Sequence, residues 1–322
     1  MTAAAASGPG SGTGPWPPPL PADVADNVAG LRGGPDWLAG LPRRLAAVAR
    51  EWNLELGRPF TGGSCSWAGP VRTADGGPAV LKLSFPHREA RGEAAALRLW
   101  DGAGAVRLLR ASDDGFALLL ERCRPGRPLA HAPGDPEGLL AAGARALAGL
   151  WSRGVRADPG LERLADVLAE WADLTAERHA RLRTGADPGL VRTAVDLMTA
   201  LPRSAARAAV LHGDFNPGNV LSAERAPWLA IDPKPMVGDP GYDLWPLLVQ
   251  VDPPMAHPDP APVLRRRLAL CAEVLGEPAD RLAAWSVARA VESAFDRFDR
   301  GDADGGAADL AQASAVARVA GL

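Results

Sequence analysis

The segment Arg124-Pro125-Gly126-Arg127-Pro128 interrupts both regular patterns a chain can carry, and the sequence differs on its two sides. Proline removes a main-chain donor and glycine removes the restraint of a Cβ, so neither a helix nor a central strand continues through such a run. Before it lie short apolar stretches separated by turn residues. Val71-Arg72-Thr73 leads into Asp75-Gly76-Gly77, a hairpin signal, and Ala79-Val80-Leu81-Lys82-Leu83 follows as a strand. Residues 106–109 and 116–120 read as further strands joined by Ser112-Asp113-Asp114-Gly115. Residues 41–52 have helical spacing with Pro42 near the start, where a missing N–H costs little. Residues 89–100 read as a helix with Leu97 and Trp100 on one face.

Beyond the break, residues 138–153, 161–183, 189–201, 243–251, 263–275 and 282–299 repeat apolar side chains at helical spacing. Residues 210–243 depart from this as a run of short strands and loops. The expected architecture is α+β, with a small β-rich part over residues 21–122 and a larger, mainly helical part over 123–322. Residues 1–20 are Ala, Gly, Ser and Pro, ending near Pro17-Pro18-Pro19, and are expected to form a disordered tail.

With 322 residues, 47% of them hydrophobic, the chain can bury one large core or two modest ones. A net charge of -3 argues against the broad basic face of a nucleic-acid binder. Cys65, Cys123 and Cys271 are an odd count with no close pair, which fits reduced thiols better than disulfides. Arg32 is the first basic residue, no apolar h-region precedes it, and no apolar run reaches the roughly 18 residues a bilayer requires. The expectation is a soluble, cytoplasmic protein with no membrane, nucleic-acid or obligatory protein partner.

The chemistry is concentrated in Val210-Leu211-His212-Gly213-Asp214-Phe215-Asn216-Pro217-Gly218-Asn219-Val220-Leu221. Asp214 and Asn219 have the spacing of a kinase catalytic loop, where the Asp accepts the proton of a substrate hydroxyl and the Asn holds magnesium. Trp228-Leu229-Ala230-Ile231-Asp232 then reads as a strand ending in a carboxylate, suited to the same hard cation. Asp, Asn and Gly also populate plain turns, so the spacing alone is weak. The ordered set of HGD, PxN, a strand ending in ID, then GDP and YD is much more specific.

These motifs resemble those of the aminoglycoside phosphotransferases. Ile231-Asp232-Pro233-Lys234-Pro235 with Val237-Gly238-Asp239-Pro240-Gly241-Tyr242-Asp243-Leu244 is similar to the group of streptomycin 6-kinases and hydroxyurea phosphotransferases. The resemblance covers about residues 40–300 and implies a two-lobed, protein-kinase-like fold. It also implies ATP and Mg2+ as cofactors and a small hydroxyl-bearing acceptor such as a cationic aminocyclitol. It assigns Asp214 as base and Asn219 and Asp232 as metal ligands. DPK stands where protein kinases carry DFG.

On the nucleotide side, Lys82 matches the strand lysine that grips the α- and β-phosphates, with Glu93 as its expected ion-pair partner and Glu89 as the rival. Gly63 and Ser64 fall in a small-residue loop that can lie over phosphates, and Glu121 and Cys123 flank a hinge whose main chain would meet the adenine edge. His212 is expected to brace the loop, Asp243 to cap a helix and anchor the loop, with Asp239 able to play the same supporting role, and Tyr242 and Trp245 to be core. Lys234 either stabilises charge on the transferring phosphoryl group or pairs with Asp239. Glu292 and Asp296, at i and i+4, could bind cationic groups of the acceptor.

Overall fold

The computed structural model describes residues 20–155 and 160–322, so the expected tail, apart from Leu20, lies outside the described residues. They fall into two compact units. One comprises the residues up to Pro86 with Leu109–Arg122, and the other His87–Leu108 with Cys123–Leu322.

The first unit opens with α1 (Ala22–Ala29) and α2 (Gly34–Glu51). Helix α2 starts earlier than the sequence suggested. Pro35 in its first turn favours initiation there, and Trp37, Leu41, Leu45 and Ala49 extend one buried stripe through Pro42, which lies inside the helix. Strands β1 (Glu55–Leu56), β2 (Ser66–Arg72), β3 (Pro78–Ser84), β4 (Leu108–Ala111) and β5 (Ala117–Glu121) form one sheet in the order β1-β2-β3-β5-β4. The hairpin between β2 and β3 turns at Gly76, whose φ of +81° glycine adopts without penalty. Trp37, Trp52, Trp67, Leu81 and Phe85 meet in its core.

The second unit claims residues 87–108, which the sequence had grouped with the β-rich part. Several contacts hold them there. Arg88 pairs with Glu162 at 2.7 Å and Glu170 at 2.6 Å, and Val106 donates its N–H to the Ala230 carbonyl at 3.0 Å. The helix expected from residue 89 divides in two: Arg88–Ala90 is a 3-10 turn and α3 spans Glu93–Trp100. Then follow α4 (Pro136–Trp151), β6 (Glu162–Arg163), α5 (Leu164–Leu182), α6 (Pro188–Arg203), β7 (Ala209–Leu211), β8 (Val220–Ser222), β9 (Trp228–Ala230) and β10 (Met236–Gly238). The chain closes with α7 (Trp245–Gln250), α8 (Pro260–Leu275), α9 (Ala279–Asp299) and α10 (Ala303–Ala320).

Helix α9 is the core of this unit and packs against α5, α6, α7, α8 and α10, burying Trp285, Val287, Val291 and Phe295. Each large apolar side chain buried this way contributes about 1.5–3 kcal/mol. Strand β10 lies antiparallel to β7 and parallel to β6, and β8 pairs with β9. Helix α10 was not anticipated because its inward face is built from small residues such as Ala313, Val316 and Ala317. Among the described residues, no helix is long and apolar enough to cross a membrane.

Candidate active site

Strand β7 is entirely buried and delivers the chain to His212. Gly213 then turns it with φ +80°, and a Cβ there would overlap the carbonyl oxygen of Lys234. Only glycine permits both the dihedral and the close approach. The Lys234 N–H donates to the His212 carbonyl at 2.7 Å, so the loop after β9 is fastened to the loop after β7.

The loop from His212 to Asn219 is held by Asp243, which is fully buried. Its carboxylate accepts the N–H groups of His212 (2.9 Å) and Gly213 (2.8 Å) and the Trp151 indole N–H (3.1 Å). Burial pushes the Asp243 carboxyl above its usual range, while His212 and these donors pull the other way. The anchoring role matches expectation, but the capping role falls to Asp239. Its Oδ1 accepts the Gly241 N–H at 3.0 Å, opening the 3-10 turn Pro240–Leu244 that contains Asp243.

His212 is fully buried, and burial lowers its pKa against the pull of Asp243 and Asp214. Its Nδ1 accepts the Asp214 N–H at 3.3 Å, which leaves the proton on Nε2 to be donated to the Ile231 carbonyl at 3.0 Å. The ring stacks on Trp100 at 6.3 Å and meets Phe215 edge-on at 5.3 Å. Both nitrogens are engaged with main chain, so His212 braces the loop.

Asp214 keeps 30% of its side chain exposed, enough for a solute to reach it. Its Oδ1 accepts from Asn216 Nδ2 at 3.1 Å, and its Oδ2 lies 3.4 Å from Lys234 Nζ. Asn216 was not singled out from the sequence. Its Oδ1 also accepts the N–H groups of Gly218 (2.9 Å) and Asn219 (3.2 Å), which folds Pro217–Asn219 into a 3-10 turn. The signal was there in an Asn preceding Pro-Gly. The Asn219 amide nitrogen donates to the Asp214 carbonyl at 3.1 Å, and its own carbonyl accepts the Ile231 N–H at 2.9 Å. Since Val220 pairs with Ala230, the hairpin carries Asn219 and Asp232 on its two open ends. Asp232 adopts φ +56°, a left-handed conformation that Asp tolerates better than most residues.

Magnesium takes oxygen ligands and is commonly held by one or two protein groups, with nucleotide phosphates completing its shell. The Asp232 carboxylate and the Asn219 amide oxygen fit that donor set. The amide nitrogen of Asn219 is committed to Asp214, so oxygen is the end suited to a cation.

Lys234 does not pair with Asp239, because Arg281 and Trp285, both from α9, occupy that carboxylate. Its ammonium group lies 3.4 Å from Glu89 and 3.4 Å from Asp214. Burial lowers the Lys234 pKa, and the carboxylates of Asp214, Glu89 and Asp232 more than offset this, leaving it raised. Glu89, the rival partner for Lys82, thus pairs with Lys234.

In the other unit, Lys82 is buried on β3, in register with Ala68 of β2 and Leu118 of β5. Gly63 and Ser64 are exposed in the loop leading into β2, and Glu121 ends β5. In the helical unit, Glu93 is buried in the first turn of α3, and Cys123 is half-buried.

The two acids of α9 have different surroundings. Glu292 lines a small pocket of about 10 Å³, room for about one water, with Trp171, Met198, Tyr242, Trp285 and Arg289. Burial pushes it up to about 7, Arg289 opposing and Asp296 reinforcing the shift. Asp296 instead pairs with Arg178 at 3.2 Å and Arg300 at 2.9 Å, so the protein's own guanidinium groups occupy the place expected for those of an acceptor. Arg289, also missed, donates to the carbonyls of Tyr242 (3.1 Å) and Gly213 (3.2 Å) and lies 4.1 Å over the Tyr242 ring. It ties the pocket to Gly213, the residue before Asp214. Tyr242 and Trp245 are buried, as expected.

A reachable carboxylate braced by main-chain bonds, followed by two oxygen donors on a hairpin, defines a phosphotransferase of the protein-kinase-like class. The chain belongs to the aminoglycoside/hydroxyurea antibiotic resistance kinase family, which it matches over residues 51–301. It is 38% identical over 304 residues to the streptomycin 6-kinase of Streptomyces glaucescens, covering 91% of this chain and 96% of that protein. It is 38% identical over 289 residues to the hydroxyurea phosphotransferase of Kitasatospora aureofaciens, covering 88% and 81%. Among solved structures, the GDP complex of aminoglycoside 2'-phosphotransferase-IIIa shares the fold. Its TM-score is 0.58 at 14% identity, covering 86% of this chain and 98% of that one.

Proposed function

We propose that this kinase moves the γ-phosphate of ATP, with magnesium, onto a hydroxyl of a cationic aminoglycoside, with streptomycin as the acceptor. The observation that carries this is the braced Asp214 loop, in a chain 38% identical to a streptomycin 6-kinase over nearly its whole length. Asp214 accepts the hydroxyl proton as the acceptor oxygen attacks phosphorus. Asn219 and Asp232 would hold the magnesium, which supplies charge neutralisation for the phosphates. Lys82 grips the phosphates, Gly63 and Ser64 cover them, and the main chain at Glu121 and Cys123 meets the adenine. Glu292 takes a cationic group of the acceptor, and Asp296, already paired, acts behind it. The enzyme works in the cytoplasm, where ATP is available.

Hydroxyurea is the second reading, favoured by the equal identity to a hydroxyurea phosphotransferase. Incubating the purified chain with magnesium, ATP and each compound, followed by mass spectrometry, separates the two. A phosphate adduct on streptomycin alone upholds the first reading, and one on hydroxyurea alone replaces it.

A further inference from the structure

We propose that Lys234 is a catalytic residue, whose ammonium group binds the oxygens of the phosphoryl group as it passes to the acceptor. The proposal rests on the phosphotransferase reading of the same site.

Three observations converge on it. The Lys234 Nζ lies 3.4 Å from Oδ2 of Asp214, the base itself, and 3.4 Å from Glu89. The main chain of Lys234 is fixed on both sides, its N–H bonded to His212 at 2.7 Å and its carbonyl packed against Gly213. The root of the side chain therefore moves only with the catalytic loop. Lys234 also follows the metal-binding acid Asp232 by two residues while touching Asp214. Its ammonium group therefore lies beside the Asp214 carboxylate and close in sequence to Asp232, on a side chain that is 40% exposed.

Stability does not account for the arrangement, since exposed ion pairs contribute about 0–1 kcal/mol. Electrostatics in the transition state does. Charge spreads over the three equatorial oxygens during transfer, and a fixed cation there stabilises the transition state more than the ground state. In the step itself, the acceptor oxygen bonds to phosphorus and the bond from phosphorus to the bridging oxygen of the diphosphate breaks. The hydroxyl proton goes to Asp214, and Lys234 keeps its three protons throughout. Glu89 is a positioning residue that holds the ammonium group in the resting enzyme.

The test compares K234M and K234R with the wild type in the full chain. Loss of one fixed transition-state donor is expected to lower kcat of K234M by about 10²–10³, with both KM values within about threefold. A second readout is ADP affinity by calorimetry with magnesium, with and without aluminium fluoride, which mimics the phosphoryl group in flight. K234M is expected to bind ADP as the wild type does but to lose the tightening that aluminium fluoride brings, and K234R to recover part of it. A K234M enzyme that keeps both its kcat and that tightening overturns the proposal. So does one that folds but loses affinity for ADP alone to the same degree. If K234M does not fold, K234R decides: a partly retained tightening supports the proposal, and its complete loss overturns it. A wild type that phosphorylates neither streptomycin nor hydroxyurea defeats only the acceptor assignment, because the ADP comparison still reads Lys234.

Discussion

Asp243 accepts the main-chain N–H of Gly213 at 2.8 Å, from thirty positions further along the chain. A second bond to the same carboxylate, from the His212 N–H at 2.9 Å, fixes two successive peptide groups immediately before Asp214. The main chain leading into Asp214 is thus held by a fully buried acid. Short of a proline, no substitution at His212 or Gly213 removes these N–H donors, so the loop's orientation is tested through the residue that receives them.

Asp243→Asn tests this dependence. One oxygen becomes an NH2 group facing N–H donors, leaving buried polar groups unsatisfied at a cost of about 1–3 kcal/mol. The variant is expected to unfold at lower urea concentration and to lose turnover.

Asp214→Asn is expected to fold normally and bind nucleotide as the wild type does, because Asn216 can still bond to an amide oxygen at this position. Turnover falls by about 10²–10⁴, the usual range for losing a general base. Steady-state kinetics beside nucleotide titration separates the two effects, and near-normal turnover would remove Asp214 from its role.

Asp232→Asn exchanges an anionic oxygen for a neutral one. Nucleotide affinity is expected to fall in magnesium and to stay the same in EDTA, because the lost interaction runs through the cation. Equal affinities in magnesium for both proteins would show that Asp232 is no ligand.

Glu292 gives a pH signature. Its folded pKa of about 7 is raised above the ordinary 4.5, so the folded state holds the proton more tightly than the unfolded state. That contribution to stability is fully present below the ordinary carboxylate value and is lost as pH rises through about 7. Glu292→Gln lacks the ionisation, so its melting temperature is expected to exceed that of the wild type at pH 8 by more than at pH 5. The difference is on the order of 1 kcal/mol, given the partial exposure of the site. Over the same range the wild-type KM for streptomycin is expected to fall as the carboxylate ionises, and the variant's to stay flat.

The proximity of Asp214, Asn219 and Asp232 could be read from the sequence because these residues are covalently close. Asp214, Asn216 and Asn219 find one another within a single turn, and the hairpin brings Asp232 beside them. Charged residues whose partners lie far along the chain could not be read in this way. Asp296 looked free, yet Arg178 meets it from 118 positions away. Asp239 was offered to Lys234, its near neighbour, but is taken by Arg281 and Trp285 once α9 packs. Glu89 has helical spacing with the residues after it, but its turn is held by Arg88 to Glu162 and Glu170, and α3 begins only at Glu93. Helix α10 escaped notice because alanine makes a weak apolar stripe, although Asp302 at its start and Gly321 at its end mark its limits.

The left-handed backbone at Asp232, φ +56°, also bears on how such a gene decays. A duplicated copy released from selection for catalysis remains under selection to fold. Most side chains at this position would oppose the dihedral, whereas asparagine and glycine accept it. A copy that no longer needs a carboxylate here while keeping its architecture is therefore expected to carry one of those two residues. A β-branched residue at the same position would mark a loop that has been rebuilt, and such a protein would have to be read anew.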